Sequence, residues 1–126
     1  MAEAGKSVIN WFEIPATDFD RAVRFYERIL GTQLRRDKLG DEIYAAFPHD
    51  DQVTGGCVVQ GKPHRPGADG SVVYLNAGES INAVLERVVA AGGRIETGRT
   101  ELPAGMGCYA RIFDSEGNRV GLHGMG

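Results

Sequence analysis

The sequence predicts an α+β fold in which two βαβββ modules pair about a pseudo-twofold axis into a cupped eight-strand sheet, with the helices outside. Two observations predict this fold. Shifting the chain by 61 positions brings residues 8–31 onto 69–92, strand on strand and helix on helix. Three further strand-like stretches follow each of these segments. We therefore expect one domain over residues 1–126, with an internal repeat of 8–60 and 71–124.

The first strand has two distinct faces. Trp11 and Glu13 share one face, and they alternate with Phe12 and Ile14 on the other. The three strands predicted later in this module are "TQLRRD", "DEIYAAFP" and "GGCVVQG".

The first helix is marked by its caps and by its apolar spacing. Thr17 or Asp18 can cap its start, and Gly31 can close it in the left-handed conformation. Apolar residues recur between them at helical spacing and are predicted to be core residues: Phe19, Ala22, Val23, Tyr26, Ile29 and Leu30.

The second module repeats this pattern after a turn-rich link over residues 61–70. "SVVYLNA" is its first strand, and Ser80 caps a helix that ends before Gly92. Its later strands are "GRIETG", "GCYARIFD" and "NRVGLHG". The helix is predicted to bury five residues: Ile81, Val84, Leu85, Val88 and Val89.

Composition excludes several classes of protein. A net charge of −3 and the absence of a basic cluster argue against a nucleic-acid partner. No apolar run is long enough to cross a membrane, and we expect a cytoplasmic protein. Cys57 and Cys108 lie apart in apolar surroundings, which favours two buried reduced thiols; a disulfide or a nucleophile is the alternative.

Two short motifs and the repeat carry a family resemblance. The motifs are "FYxxxLG", which ends at Gly31, and "DxEGN" over residues 114–118. Together they resemble the vicinal oxygen chelate superfamily of glyoxalase I, extradiol dioxygenases, and fosfomycin and bleomycin resistance proteins. The resemblance covers residues 8–123. Within the superfamily, the chain is most similar to small bacterial glyoxalase-like proteins described as predicted enzymes related to lactoylglutathione lyase.

The resemblance implies a divalent metal ion that binds two substrate oxygens and stabilises negative charge on them. The implied ligands are a His or Gln on the first strand, a His on the fifth, and a Glu on the fourth or eighth. Here Trp11, Val72 and Gly121 occupy these places, and "GGCVV" on the fourth strand has no carboxylate. We therefore expect no catalytic metal and no cofactor; the alternative is an unusual metal site that includes Glu13 or His123.

Strand alternation predicts which other residues face the cup. If Trp11 and Gly121 face it, then so do Glu13 and His123, each two residues further on. We predict Glu13 and His123 as acid–base residues. The alternative for Glu13 is a carboxylate that forms a salt bridge or lies at the rim of the cup. The alternative for His123 is a structural histidine or one at a dimer contact. The predicted ligand-binding residues are Trp11, Tyr44, Tyr74, Tyr109 and Arg111, and Tyr74 is the repeat counterpart of Glu13.

Two functions follow, and both require a small-molecule ligand in the cup. In the first, Glu13 and His123 perform lyase or isomerase chemistry without the usual metal. In the second, the protein binds or sequesters a molecule without converting it, as bleomycin resistance proteins do. The resemblance also implies a homodimer. His49 and His64 lie in turn-rich segments, and we expect both to be solvated.

Overall fold

The computed structural model describes residues 7–126, so the first six residues of the predicted domain lie outside the described part. The elements follow the order βαβββ twice. The first module contains β1 (Trp11–Pro15), α1 (Phe19–Leu30), β2 (Arg35–Leu39), β3 (Glu42–Ala46) and β4 (Gly55–Gln60). The second contains β5 (Tyr74–Asn76), α2 (Ile81–Val88), β6 (Arg94–Glu101), β7 (Cys108–Phe113) and β8 (Arg119–Gly124).

The eight strands form two four-stranded sheets of identical topology. Their orders are β1-β4-β3-β2 and β5-β8-β7-β6, with the first pair of each sheet parallel and the other pairs antiparallel. The α+β class and the paired modules are thereby confirmed. β1 and β5 are edge strands, each paired with a single neighbour, since no hydrogen-bonded ladder joins the two sheets within residues 7–126.

The same hydrogen-bonded pairing occurs in both modules, with an offset of 61 positions from β1 to β5 and a slightly larger offset from β4 to β8. Glu13 lies opposite Cys57 in the first sheet, and Tyr74 lies opposite Gly121 in the second. Just beyond each strand, the backbone N–H of Ala16 donates to Val59 at 2.8 Å, and that of Ala77 donates to His123 at 2.8 Å. Glu13 and Tyr74 are therefore equivalent positions in the two modules.

Both helices begin at predicted caps and α1 ends at its predicted cap, but α2 ends at Val88, before the predicted end at Gly92. The Asp18 side chain accepts from the backbone N–H of Arg21 at 3.1 Å, and Gly31 ends α1 with a φ of 64°. Ser80 caps α2 in the same way. The predicted burial of Val89 is wrong: α2 ends at Val88, and Val89 points outward and is 67% exposed. No helix within residues 7–126 is long and apolar enough to span a membrane.

One apolar core extends through both modules and covers one side of each sheet. α1 and α2 pack against each other and against their own sheets. In β7, Cys108, Ala110 and Ile112 are fully buried in this core, while the alternate residues are only half-buried on the other side. We call the helix-free side of each sheet its open face. Ile14 of β1 is in the core, and Trp11, three residues earlier, points to the opposite face of the strand. Trp11 therefore lies on the open face, where it is 43% exposed.

The "DSEGN" segment, residues 114–118, is a turn between β7 and β8 that ties the second module to the first. The buried carboxylate of Asp114 accepts from the Tyr26 hydroxyl of α1 at 2.6 Å. Asn118 donates from its side chain to the Pro15 carbonyl at 2.7 Å. The Glu116 carboxylate accepts from the backbone N–H of Asp18 at 2.7 Å, at the start of α1. Both family motifs therefore act in the fold, because each contributes to this connection.

Burial governs the ionisation of the two groups at the centre of this turn. Burial raises the pKa of Asp114, although hydrogen bonds from Tyr26 and Asn118 oppose that rise. Burial and the neighbouring Asp114 carboxylate raise the pKa of Tyr26 well above its usual value. The Tyr26 hydroxyl therefore stays protonated and donates its hydrogen to Asp114.

Candidate functional site

The open face of the second sheet brings together four of the seven predicted site residues. Tyr74 of β5 and Arg111 of β7 both lie opposite Gly121, on either side of β8. Tyr109 of β7 lies opposite His123. Residues directly opposite each other share a face of the sheet, so the two tyrosines, the arginine and the histidine point to the same side.

The side chains of Tyr74, Tyr109 and Arg111 contact one another, and we call them the Tyr–Arg cluster. The Arg111 Nε donates to the Tyr74 hydroxyl at 2.8 Å. The Arg111 Cζ lies 5.0 Å from the centre of the Tyr109 ring, within the range of a cation–π contact. The two tyrosine rings meet edge to face at 6.3 Å. The guanidinium is therefore held against two aromatic rings.

The charge of Arg111 has no carboxylate partner in the part of the chain that the structure describes. Its hydrogen bond to Tyr74 raises its pKa further above the usual arginine value, so it stays charged. The negative charge of Glu96 also raises the pKa of Arg111, but the Glu96 carboxylate forms its ion pair with Arg119, at 2.8 Å. Because only Nε is used by Tyr74, the remaining donors of the guanidinium are free to bind an anion.

Gly121 makes this arrangement possible. The ring of Tyr74 lies over Gly121, and a Cβ atom at that position would collide with the ring. A residue with any side chain at position 121 would therefore require Tyr74 to move.

His123 lies beside the cluster with a defined tautomer. Its Nε2 lies 2.8 Å from the Met106 carbonyl oxygen. A carbonyl oxygen only accepts, so Nε2 carries a hydrogen and Nδ1 of the neutral ring keeps its lone pair. A cavity of about 440 Å³ is lined by Tyr74, Asn76 and His123.

A larger cavity adjoins this one along β5. It measures about 870 Å³ and shares Tyr74, Leu75, Asn76 and Gly78 with the smaller cavity. Its other walls come mainly from apolar residues of both modules, including Phe12, Leu30, Phe47, Val72 and Val73. Cavities of a few hundred to 1,000 Å³ with apolar walls and a few polar groups are typical ligand sites.

A third cavity, of about 890 Å³, lies outside this region, between the start of α1 and β2. Charged residues of both signs line it, and Arg36 and Asp20 pair with each other across it at 2.6 Å. We interpret it as a solvated surface groove.

The other three predicted residues lie on the open face of the first sheet. Glu13 and Tyr44 alternate there with core residues, and Trp11 packs edge-on against His49 with 5.8 Å between ring centres. Glu13 lines a cavity of about 160 Å³ that does not include His123. The predicted acid–base pair is therefore divided between two sheets, and each member has different neighbours.

Two residues that the sequence does not single out lie beside Glu13. Glu42 begins β3, and His64 lies in the link between the modules. The prediction that His64 is solvated is wrong: its side chain is 17% exposed, and its Nε2 lies 3.1 Å from Glu42 Oε1. Alternation with Tyr44 could have placed Glu42 on the open face. No periodicity applies to a turn residue such as His64.

The positions of the customary metal ligands hold groups that do not suit a divalent ion. Trp11 contributes an indole, and the Tyr74 ring fills the space beside Gly121. The counterpart of Gly121 on β4 is Cys57. Burial raises the pKa of this thiol to about 11, and the carboxylates of Glu13 and Glu42 contribute to the rise. Cys57 is therefore a neutral thiol at pH 7, and both cysteines are buried and free, as predicted.

Comparison with known proteins identifies the family. The chain belongs to the Glyoxalase/Bleomycin resistance protein/Dioxygenase superfamily, whose model matches residues 8–122. No match is found among curated proteins.

Solved structures with the same fold include proteins of different roles. One is TnmS3, an antibiotic binding protein from Streptomyces sp. CB03234, with a TM-score of 0.69, 21% identity, and coverage of 97% of this chain and 98% of that one. Another is a glyoxalase/bleomycin resistance protein from Albidiferax ferrireducens T118, with a TM-score of 0.68, 17% identity, and 94% and 98% coverage. A third is the fosfomycin resistance protein FosX from Listeria monocytogenes, with a TM-score of 0.63, 15% identity, and 98% and 94% coverage. At these identities the likeness shows the fold alone.

Proposed function

We propose that this protein binds a small, planar organic anion on the open face of its second sheet, without the metal that its family customarily uses. The observation that carries this proposal is the state of Arg111. Its guanidinium is held by Tyr74 and Tyr109, and no ion pair within residues 7–126 uses its charge. An arginine in such a position can pair with a carboxylate, while the rings beside it contact a planar apolar body.

The two cavities along β5 support a ligand with a sizeable apolar part. The larger cavity offers mostly apolar walls, and the smaller one offers the polar atoms of Tyr74, Asn76 and His123. A molecule that lies across β5 would place its apolar body in the former and its polar groups near the latter. Such a surface can bind a ligand without converting it, and TnmS3, which has the same fold, is an antibiotic binding protein.

Acid–base catalysis at the same place is the second candidate function. The free Nδ1 of His123 favours it, since a neutral imidazole beside a bound ligand can accept a proton. Glu13, its predicted partner, lines a different cavity, so at this site His123 would transfer the proton without it. Product formation that is lost in His123→Gln while ligand affinity is retained would favour this candidate over simple binding.

Calorimetric titration with a matched pair of probes tests the binding proposal. We expect 2-naphthoate to bind and 2-naphthamide, which has the same shape without the charge, to bind about tenfold more weakly or worse. Arg111→Gln should abolish this difference. Arg24→Gln, which alters an exposed arginine of α1, should retain it.

Three results would contradict the proposal. One is equal affinity for the acid and the amide. Another is unchanged discrimination in Arg111→Gln. The third is a loss of naphthoate affinity after the protein is treated with a chelator, which would mean that a metal ion takes part in binding.

A further inference from the structure

Glu13, Glu42 and His64 form a compact group on the open face of the first sheet, which we call the Glu–His cluster. One donor atom from each residue lies within 4.8 Å of the others. β1 supplies the first carboxylate, the start of β3 supplies the second, and the inter-module link supplies the imidazole. The cluster lies apart from the Tyr–Arg cluster, which belongs to the other sheet.

The polar atoms of this cluster lack the partners that such atoms usually have. His64 Nε2 is buried from solvent, and although it lies 3.1 Å from Glu42 Oε1, their alignment does not make a hydrogen bond. Glu13 has no hydrogen bond or ion pair within residues 7–126; Arg65 lines the same small cavity without pairing with it. Two carboxylates and an orphaned imidazole nitrogen therefore converge, and no lysine or arginine within residues 7–126 pairs with them.

The chain makes room for this convergence at Gly61. A Cβ atom there would lie 2.8 Å from Glu42 Cγ and 3.3 Å from His64 Cδ2. The backbone N–H of His64 donates to the Gly61 carbonyl at 3.0 Å, and this turn returns the imidazole toward β3. The glycine and the turn together hold His64 over Glu42.

We infer that Glu13, Glu42 and His64 bind a first-row divalent transition metal ion. Carboxylate oxygens and imidazole nitrogens are ligands of zinc and its neighbours, and donors bound to one ion lie about 3–3.5 Å apart. The separation of His64 Nε2 and Glu42 Oε1 already falls in this range. Small rotations of the exposed Glu13 side chain would bring its carboxylate to the same ion.

This site differs from the customary metal site of the family. All three ligands belong to the first module and its link, whereas the customary ligands come from both modules. It adopts the alternative that sequence analysis left open, an unusual site that includes Glu13, and adds two residues that the sequence did not indicate. Three protein ligands leave at least one coordination position open to water, beside the cavity of about 160 Å³ that Glu13 lines.

Metal titration of the chain, produced without a histidine tag and freed of metal, tests this inference. Calorimetry with zinc ions should show one ion per chain, manganese should bind more weakly, and magnesium should bind weakest. Glu42→Gln and His64→Gln should each weaken zinc binding by about 100-fold or more. Removal of a direct ligand costs more affinity than removal of a residue that only hydrogen-bonds to a ligand. His49→Gln, a change of an exposed histidine in the loop after β3, should leave zinc binding unchanged.

Two further variants distinguish a loss of zinc binding at this site from a folding defect. Gly61→Ala keeps all three ligand residues, but its new Cβ would push the side chains of Glu42 and His64 out of position. It should therefore weaken zinc binding while circular dichroism shows a folded chain. Arg111→Gln, in the other sheet, should bind zinc normally even if it loses naphthoate, which separates this inference from the proposed function. No stoichiometric zinc binding, or equal binding by the wild type and the Glu42 and His64 variants, would overturn the inference.

Discussion

Gly121 illustrates how one residue determines the character of the site. In the family pattern, this position on the eighth strand is the carboxylate ligand. Here the absence of a side chain lets the Tyr74 ring lie over β8 and reach Arg111 with its hydroxyl. The loss of the carboxylate and the formation of the Tyr–Arg cluster are therefore linked, because both depend on the same empty space.

Gly121→Ala tests this link. The added Cβ would collide with the Tyr74 ring, so we expect the free energy of unfolding to fall by about 1–3 kcal/mol and naphthoate affinity to fall with it. Chemical denaturation and calorimetry measure the two effects. Gly98→Ala is the matched control, since no atom lies within 4 Å of its new Cβ. It should lower neither the free energy of unfolding nor the affinity for naphthoate.

Alternation predicted a common facing for Trp11, Glu13, Gly121 and His123, but it left the facing of Tyr109 and Arg111 open, because a shift of one residue reverses it. In the structure, Tyr109 and Arg111 share one face of β7, opposite Cys108 and Ala110. Alternation cannot show that Arg111 lacks a carboxylate, because its partners come from strands distant in sequence. His64 was missed for a related reason: a residue in a turn has no periodic face, and only the tertiary fold brings it to Glu42.

At the scale of elements, the turn of residues 114–118 connects the modules through charged and polar groups. Burial alone would raise the pKa of Glu116, but hydrogen bonds from Arg21, from the Asp18 backbone N–H and from Ser115 hold it below its usual value. The Arg21 Nε donates to Glu116 at 2.6 Å. Glu116 thus binds the start of α1 in its ionised form, next to the helix dipole.

The lowered pKa of Glu116 gives a pH dependence with a definite sign. A carboxyl group whose pKa is lower in the folded chain stabilises the fold above its unfolded pKa, near 4.5, and this stabilisation is lost as the pH falls through the lower folded value. Glu116→Ala should therefore lower the free energy of unfolding by about 1–3 kcal/mol at pH 7, and by less near pH 3.

Denaturation at a series of pH values checks this expectation. Glu101→Ala is the matched control, because its carboxylate also pairs with an arginine but its side chain is 69% exposed, and its effect should be small at every pH. A Glu116→Ala effect that is constant or grows as the pH falls would contradict the role of the ionised carboxylate.

The "DxEGN" motif was recognised in the sequence, but its role was not. Asp114 and Asn118 are the buried polar residues of the core, and they bind Tyr26 of α1 and the Pro15 carbonyl after β1. These contacts join residues about ninety to one hundred positions apart, which local propensity does not address. The caps were predictable, in contrast, because Asp18 and Ser80 act within one helical turn of their own positions.

At the scale of the whole molecule, the repeat was the most informative feature of the sequence. It predicted the order of the elements and two modules of four strands each, and the same strand pairing is seen in both. It did not predict that β1 and β5 share no hydrogen-bonded ladder within residues 7–126. The packing of one module against the other involves contacts such as those of the turn of residues 114–118, which a repeat within the sequence does not encode.

The exposure of the open faces favours the predicted homodimer. Trp11 of β1 is 43% exposed, and Leu39, at the end of β2, is 73% exposed. A second copy that covers these two side chains of the first sheet would remove apolar surface from water. Light scattering coupled to size-exclusion chromatography should give twice the mass of the 13.6 kDa chain, and the monomer mass at all concentrations would contradict the prediction.

The most direct test of ligand binding on the second sheet is a two-dimensional NMR titration of isotope-labelled protein with 2-naphthoate in the presence of a chelator. We expect saturable shifts of backbone amide signals in β5, β7 and β8, centred on Tyr74, Arg111 and His123, and little change in β2 or at the start of α1. Shifts confined to the first sheet, or no saturable shift in the second, would contradict the proposed site.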